Sequence, residues 1–184
     1  MTSKKLINTS NLHVGGGVQV ATSVISELAD TPNLPPGLVI WASTEVDNNL
    51  RKLGCDTSVL PAYEVVNSHG LSLLGSHLSR RLQAFDAVFT IFGPLYVWRL
   101  TGFSITGFAQ PWIIYPDNEI HHAAGWHQRL LRRLKFALQA FFFKRADQWV
   151  VELGHVRDGL LRRGIGSASA IEVVRNSLSS LYLT

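Results

Sequence analysis

The stretch Lys5-Leu6-Ile7-Asn8-Thr9-Ser10-Asn11-Leu12-His13-Val14-Gly15-Gly16-Gly17-Val18-Gln19-Val20-Ala21 decides how this chain is read. Lys5 to Asn8 has the composition of a short strand. From Val18 to Ala29, Val20, Val24, Ile25 and Leu28 recur at helical spacing, which predicts a helix with one apolar face. Three glycines join strand to helix. Small residues at such a turn let backbone N–H groups approach a phosphate or sugar at the positive end of the helix. Gly15, Gly16 and Gly17 are therefore candidate ligand contacts, with a tight turn that holds no ligand as the competing reading. The dinucleotide fingerprint G-x-G-x-x-G is not met, because valines stand at 18 and 20.

Outward from this unit the alternation continues. Leu38 to Trp41 reads as a second strand, and Glu45 to Leu53 as a short helix stopped by Gly54. Thr57 to Leu60 reads as a third strand. His69 to Ala84 suits a helix through Leu71, Leu74, Leu78 and Leu82. Ala87 to Phe92 and Ser104 to Ala109 are the fourth and fifth strands, and Trp126 to Arg145 is the longest helix. Trp149 to Val151, a helix from Val156 to Arg163, and Ile171 to Val174 complete the series. Apolar strands alternating with helices predict an α/β fold: one Rossmann-like domain over residues 1–175, with a parallel sheet flanked by helices. Residues 176–184, with Ser177, Ser179 and Ser180, read as the start of a linker. Thr31 to Gly37 and Ile113 to Gly125 are expected to be loose.

Composition narrows the class. With 184 residues, 46% hydrophobic and 16% charged, the chain is globular and long enough for a substantial core. A lone Cys55 excludes an internal disulfide framework and suits a reducing compartment; it reads as a structural thiol. The net charge of +4 favours anionic surfaces without naming one. No apolar run follows Lys4 and Lys5 as a signal peptide requires. Ala87 to Tyr115 carries only Arg99 as a charge, yet Gly93-Pro94, Gly102, Gly107, Gln110 and Pro111 break it, so two buried strands are expected and not a spanning helix. His13 and His69 read as loop or cap residues.

Asn11 to Ala21 resembles the glycine turn that opens family-4 glycosyltransferases of the GT-B fold. Val150 to Gly164 is similar to a later strand–helix stretch of that family, and Ile171 to Ser179 to its interdomain crossing. The order and spacing of the three span nearly the whole chain. Arg175 stands where proline is usual, Ser177 where glycine is usual, and Glu152 near a usual serine. The resemblance implies the N-terminal, acceptor-side half of a GT-B enzyme making cell-surface glycan. A C-terminal domain would bind the nucleotide-sugar, and the acceptor would be a saccharide or a lipid-linked intermediate. This domain would then hold no cofactor of its own, and the chain alone is expected to be inactive. The alternative is a non-catalytic Rossmann-like module that takes a nucleotide at the glycine turn.

Gln110 to His122 follows the fifth strand, at the edge where open α/β sheets place ligands. Gln110, Trp112, Tyr115, Asp117 and His122 are candidate substrate contacts, with Trp112 suited to stacking on a sugar face. Asp117, Glu119 and His121 are the candidate proton acceptors. A solvated loop is the competing reading. Adjacent His121 and His122 do not converge on a metal, so no metal site is expected.

On the longest helix, Leu130, Leu131, Leu134, Ala137, Leu138, Phe141 and Phe142 share one face, expected to be core. Arg129, Arg132, Arg133 and Lys144 lie opposite, with Phe136 and Phe143 among them. Basic residues with aromatic wedges suggest a cytoplasmic protein that sits peripherally on an anionic membrane. A protein partner and a plain basic helix are the competing readings. No nucleic-acid motif accompanies the patch.

Overall fold

The computed structural model describes residues 3–115 and 125–175, and seven strands run parallel in one sheet. They are β1 (Lys5–Thr9), β2 (Leu38–Ala42), β3 (Tyr63–Val65), β4 (Ala87–Thr90), β5 (Phe103–Gly107), β6 (Gln148–Val151) and β7 (Ile171–Val173). The described helices are α1 (Gly16–Ala29), α2 (Thr44–Lys52), α3 (His77–Leu82), α4 (Pro111–Ile114), α5 (Trp126–Phe143) and α6 (Gly154–Arg162). The sheet order is β3-β2-β1-β4-β5-β6-β7. The chain winds outward from β1 to β3, returns to β4 beside β1, and winds the other way to β7. That reversal between β1 and β4 leaves a crevice at the carboxyl edge of the sheet. The architecture is the Rossmann-like α/β domain that the alternating runs predict.

Register explains the two faces. Ile7 pairs with Ile40 and Phe89, and these three point to the side covered by Val18, Ala21 and Ile25 of α1 and Val46 and Leu50 of α2. Their chain neighbours Leu6, Trp41 and Val88 point the other way, against Leu73, Leu82 and Phe85. A third cluster lies towards β7, where Phe108, Trp149, Val151 and Ile171 meet Ile113 and Ile114 of α4, Phe143 of α5 and Leu160 of α6.

Three local expectations are corrected. Thr57 to Leu60 is not a strand: Thr57–Val59 forms a 3-10 turn, because the Asp56 carboxylate accepts the Ser58 N–H and hydroxyl and bends the chain. The third strand is Tyr63–Val65, tied to α2 by the Tyr63 hydroxyl donating to Asp47 at 2.9 Å. His69 to Ala84 is not one helix. A 3-10 turn over Gly70–Leu73 ends before Gly75, and Ser76 caps a new helix by accepting the Ser79 N–H. On α1, Val18, Ala21, Thr22 and Ile25 are the buried residues, while Val20, Val24 and Leu28 only flank them.

A further correction concerns α5. Most of the face expected to be core is turned outward: Leu131 is 67% exposed and Leu134 59%, while Phe142 of that face is buried as expected. Phe143, expected among the surface residues, is fully buried, and Phe136 is half-buried against the same cluster. Phe143 packs on Phe108 at 4.8 Å between ring centroids, and the Trp149 indole donates to its carbonyl. Two large rings near the helix C-terminus outweigh a longer row of leucines, because they fit a cluster already formed by β5 and β6. Of the expected loose segments, Ile113 and Ile114 are instead buried in α4.

Candidate functional site

The crevice between β1 and β4 is built from loops that leave the carboxyl ends of neighbouring strands. Beneath it runs a strip of buried polar side chains. Asn8 donates to the Thr90 hydroxyl at 3.3 Å and accepts from the Ser10 hydroxyl at 2.7 Å. The Ser10 and Ser68 hydroxyls lie 2.9 Å apart, so the loop after β3 is tied to the loop after β1. Asn11 donates to the Phe92 carbonyl at 2.7 Å, which ties in the loop after β4. Its Oδ1 is buried and accepts no hydrogen bond among the described residues.

Above this strip lies His13, in the turn that leads to the glycines. Its Nδ1 is 2.9 Å from Glu45 Oε2, and its Nε2 is 2.9 Å from the Ser68 carbonyl. Each ring nitrogen thus has an oxygen within hydrogen-bonding distance. The His69 ring stacks on His13 with centroids 4.2 Å apart. The bond from His13 is the main cause that holds the Glu45 carboxyl below the ordinary carboxylate range, helped by a backbone hydrogen bond. Ser43 completes the frame: its buried hydroxyl donates to the Leu12 carbonyl and accepts the Val46 N–H at the start of α2.

Gly15 precedes α1 with φ 76°, a conformation costly for any residue with a Cβ. No side chain caps this helix, and its first turn carries no acid. A Cβ on Gly15 or Gly16 would meet nothing within 4 Å, so the approach to the helix start is open. On the far wall, a Cβ on Gly107 would lie 1.7 Å from the Ile91 carbonyl oxygen. Only glycine lets β5 end that close to the loop after β4, where Gly93 donates to the Gly107 carbonyl at 3.3 Å.

Gln110 lies on the same edge, past the end of β5. Two strand spacings, about 10 Å, separate β1 from β5. The Gln110 amide is 3.4 Å from Gln139 on α5, a weak contact. Trp112 is half-buried on α4 and Tyr115 is exposed at its end. Asp117, Glu119, His121 and His122 lie outside the described residues, as do positions 176–184. A cleft at the opposite, amino edge is lined by Lys4, Leu38, Trp41, Arg81 and Phe85, and takes no part in this arrangement.

Compared with known proteins, the chain matches no family model, no curated protein and no solved structure.

The geometry adds residues that the sequence reading passed over. His13 and His69 do occupy loop and cap positions, yet their rings meet, and Glu45 and Ser68 join them. One signal was available: His13 stands two residues before the glycines and Glu45 three residues after the apolar run of β2, which places both at carboxyl ends of adjacent strands.

Proposed function

We propose that this chain is the acceptor-side domain of a GT-B-type glycosyltransferase that acts in the cytoplasm on a saccharide or lipid-linked acceptor. The observation that carries this is the crevice at the β1–β4 reversal, bordered by the open, uncapped start of α1. The N–H groups of Gly16 and Gly17 suit the phosphates of a donor brought across the cleft by a second domain. His13 has both nitrogens engaged, so it positions the loop and is not the base. We assign proton removal to Asp117, Glu119 or His121, with Trp112 and Tyr115 orienting the acceptor.

The test supplies a GT-B donor domain, fused or added, and measures transfer from a panel of nucleotide-sugars to saccharide and lipid-linked acceptors. Transfer that falls at least about tenfold in His13→Ala, a loss of about 1.4 kcal/mol of transition-state stabilisation, supports the reading. No transfer in any combination overturns it. The open start of α1 also favours a second reading, a nucleotide-binding module without catalysis. Calorimetry with mononucleotides separates the two, because tight binding by this chain alone supports the module.

A further inference from the structure

The outer face of α5 is apolar, and none of the described residues covers it. Trp126, Leu130, Leu131, Leu134, Leu138 and Phe141 form one stripe along it, each at least 38% exposed. Trp98, 62% exposed in the loop between β4 and β5, lies near the end of the stripe: its ring is 6.0 Å from the buried Phe142, which meets Phe141 at 5.2 Å. A contiguous apolar surface of this kind on a domain marks something that covers it.

Charge decides what. Residues 126–145 carry Arg129, Arg132, Arg133, Lys135, Lys144 and Arg145, and no acidic residue. At 3.6 residues per turn, Arg133 and Lys144 lie along one margin of the stripe and Lys135 along the other. Arg145 sits over the Phe141 ring at 5.5 Å, at the end where Trp98 joins. A second copy of the chain would bring these cations against their own kind. A lipid surface would not: it offers negative charge along the full length of the helix and a soft apolar layer that takes side chains of unequal reach. No described helix is long and apolar enough to cross a membrane, so α5 would lie in the plane of the interface.

We infer that this face of α5, with Trp98, is a seat on an anionic bilayer, the leucines entering the acyl boundary and the flanking arginines and lysines meeting the headgroups. The assignment is independent of the transferase reading. It also lies on the side opposite Phe136 and Phe143, the aromatic pair that the sequence pattern alone singles out for the same partner.

The experiment uses the full chain and vesicles of phosphatidylcholine with and without phosphatidylglycerol, read by co-sedimentation and tryptophan emission. The unmodified chain should sediment with the anionic vesicles only, with a blue shift from Trp98 and Trp126. The pair Leu131→Glu and Leu134→Glu, both on exposed positions, should lower the affinity at least about tenfold, because it removes apolar insertion and adds repulsion. Leu53→Glu, exposed on α2's far end, should bind as the unmodified chain does. Circular dichroism checks that each variant is folded. Absence of binding to anionic vesicles overturns the proposal, and so does equal binding by the leucine pair. A dimer that the leucine pair dissociates, without vesicle affinity in either form, overturns it in favour of self-association. An acidic protein that binds the unmodified chain, again without vesicle affinity, overturns it in favour of that partner.

Discussion

The Trp149 indole N–H donates to the Phe143 carbonyl at 3.0 Å, joining the middle of β6 to the last turn of α5. With the Phe143 ring buried on Phe108, this bond fixes the rotation of α5 and so decides which of its faces meets solvent. Phe143→Ala is expected to cost about 3–5 kcal/mol by cavity formation, whereas Leu131→Ala should change stability by less than about 0.5 kcal/mol. Urea denaturation measures both. Equal losses would mean that the helix is turned the other way.

Glu45 should titrate below the ordinary carboxylate range in a pH series followed by carbon-13 NMR, and return towards it in His13→Ala. The sign follows from the depressed value. The hydrogen bond from His13 contributes above the ordinary carboxylate range and is lost as pH falls through the folded value. Loosening of the glycine-turn loop in acid, seen as faster amide exchange at 11–15, is the accompanying readout. An unshifted Glu45 in the unmodified chain would contradict the His13 contact.

Ser43→Ala removes a buried hydroxyl that serves two elements at once. The α2 start loses its cap and the Leu12 carbonyl loses its donor. The expected loss is about 1–2 kcal/mol, larger than for an exposed cap such as Asp56→Ala before the 3-10 turn. Thermal or urea unfolding of the two variants side by side checks the order.

Gly107→Ala should be among the most damaging small changes. Its methyl would be driven into the Ile91 carbonyl, which is backbone and cannot rotate away. A loss of about 3 kcal/mol, the upper end for overpacking, is expected in urea denaturation. Gly16→Ala, with open space at its Cβ, should be tolerated. Tolerance of alanine at 107 would show that β4 and β5 part more easily than their register implies.

Much of the architecture was legible because buried parallel strands are runs without polar alternation. Leu38 to Trp41 and Ala87 to Phe92 announce themselves in this way. Tyr63-Glu64-Val65 does not: it is a short edge strand with a charge in the middle, and Glu64 is held there by the Arg81 guanidinium from another element. The α5 pattern misled for a different reason. Hydrophobic periodicity tells which residues share a face but not which face has a partner, and the partner of Phe143 is set by Phe108 and Trp149, distant in sequence. The candidate site was half legible for the same cause. Glycines flag their own backbone, whereas the contact of His13 with Glu45 and Ser68 exists only once β1, β2 and β3 lie side by side.

The long helix is clamped through its last two turns, while residues 126–135 add no buried side chain. At 1.5 Å per residue they form a beam of about 15 Å. A twist of α5 about its own axis would be felt at Phe143 and Trp149, and so at β6, which pairs with β5 beside the loop after β4.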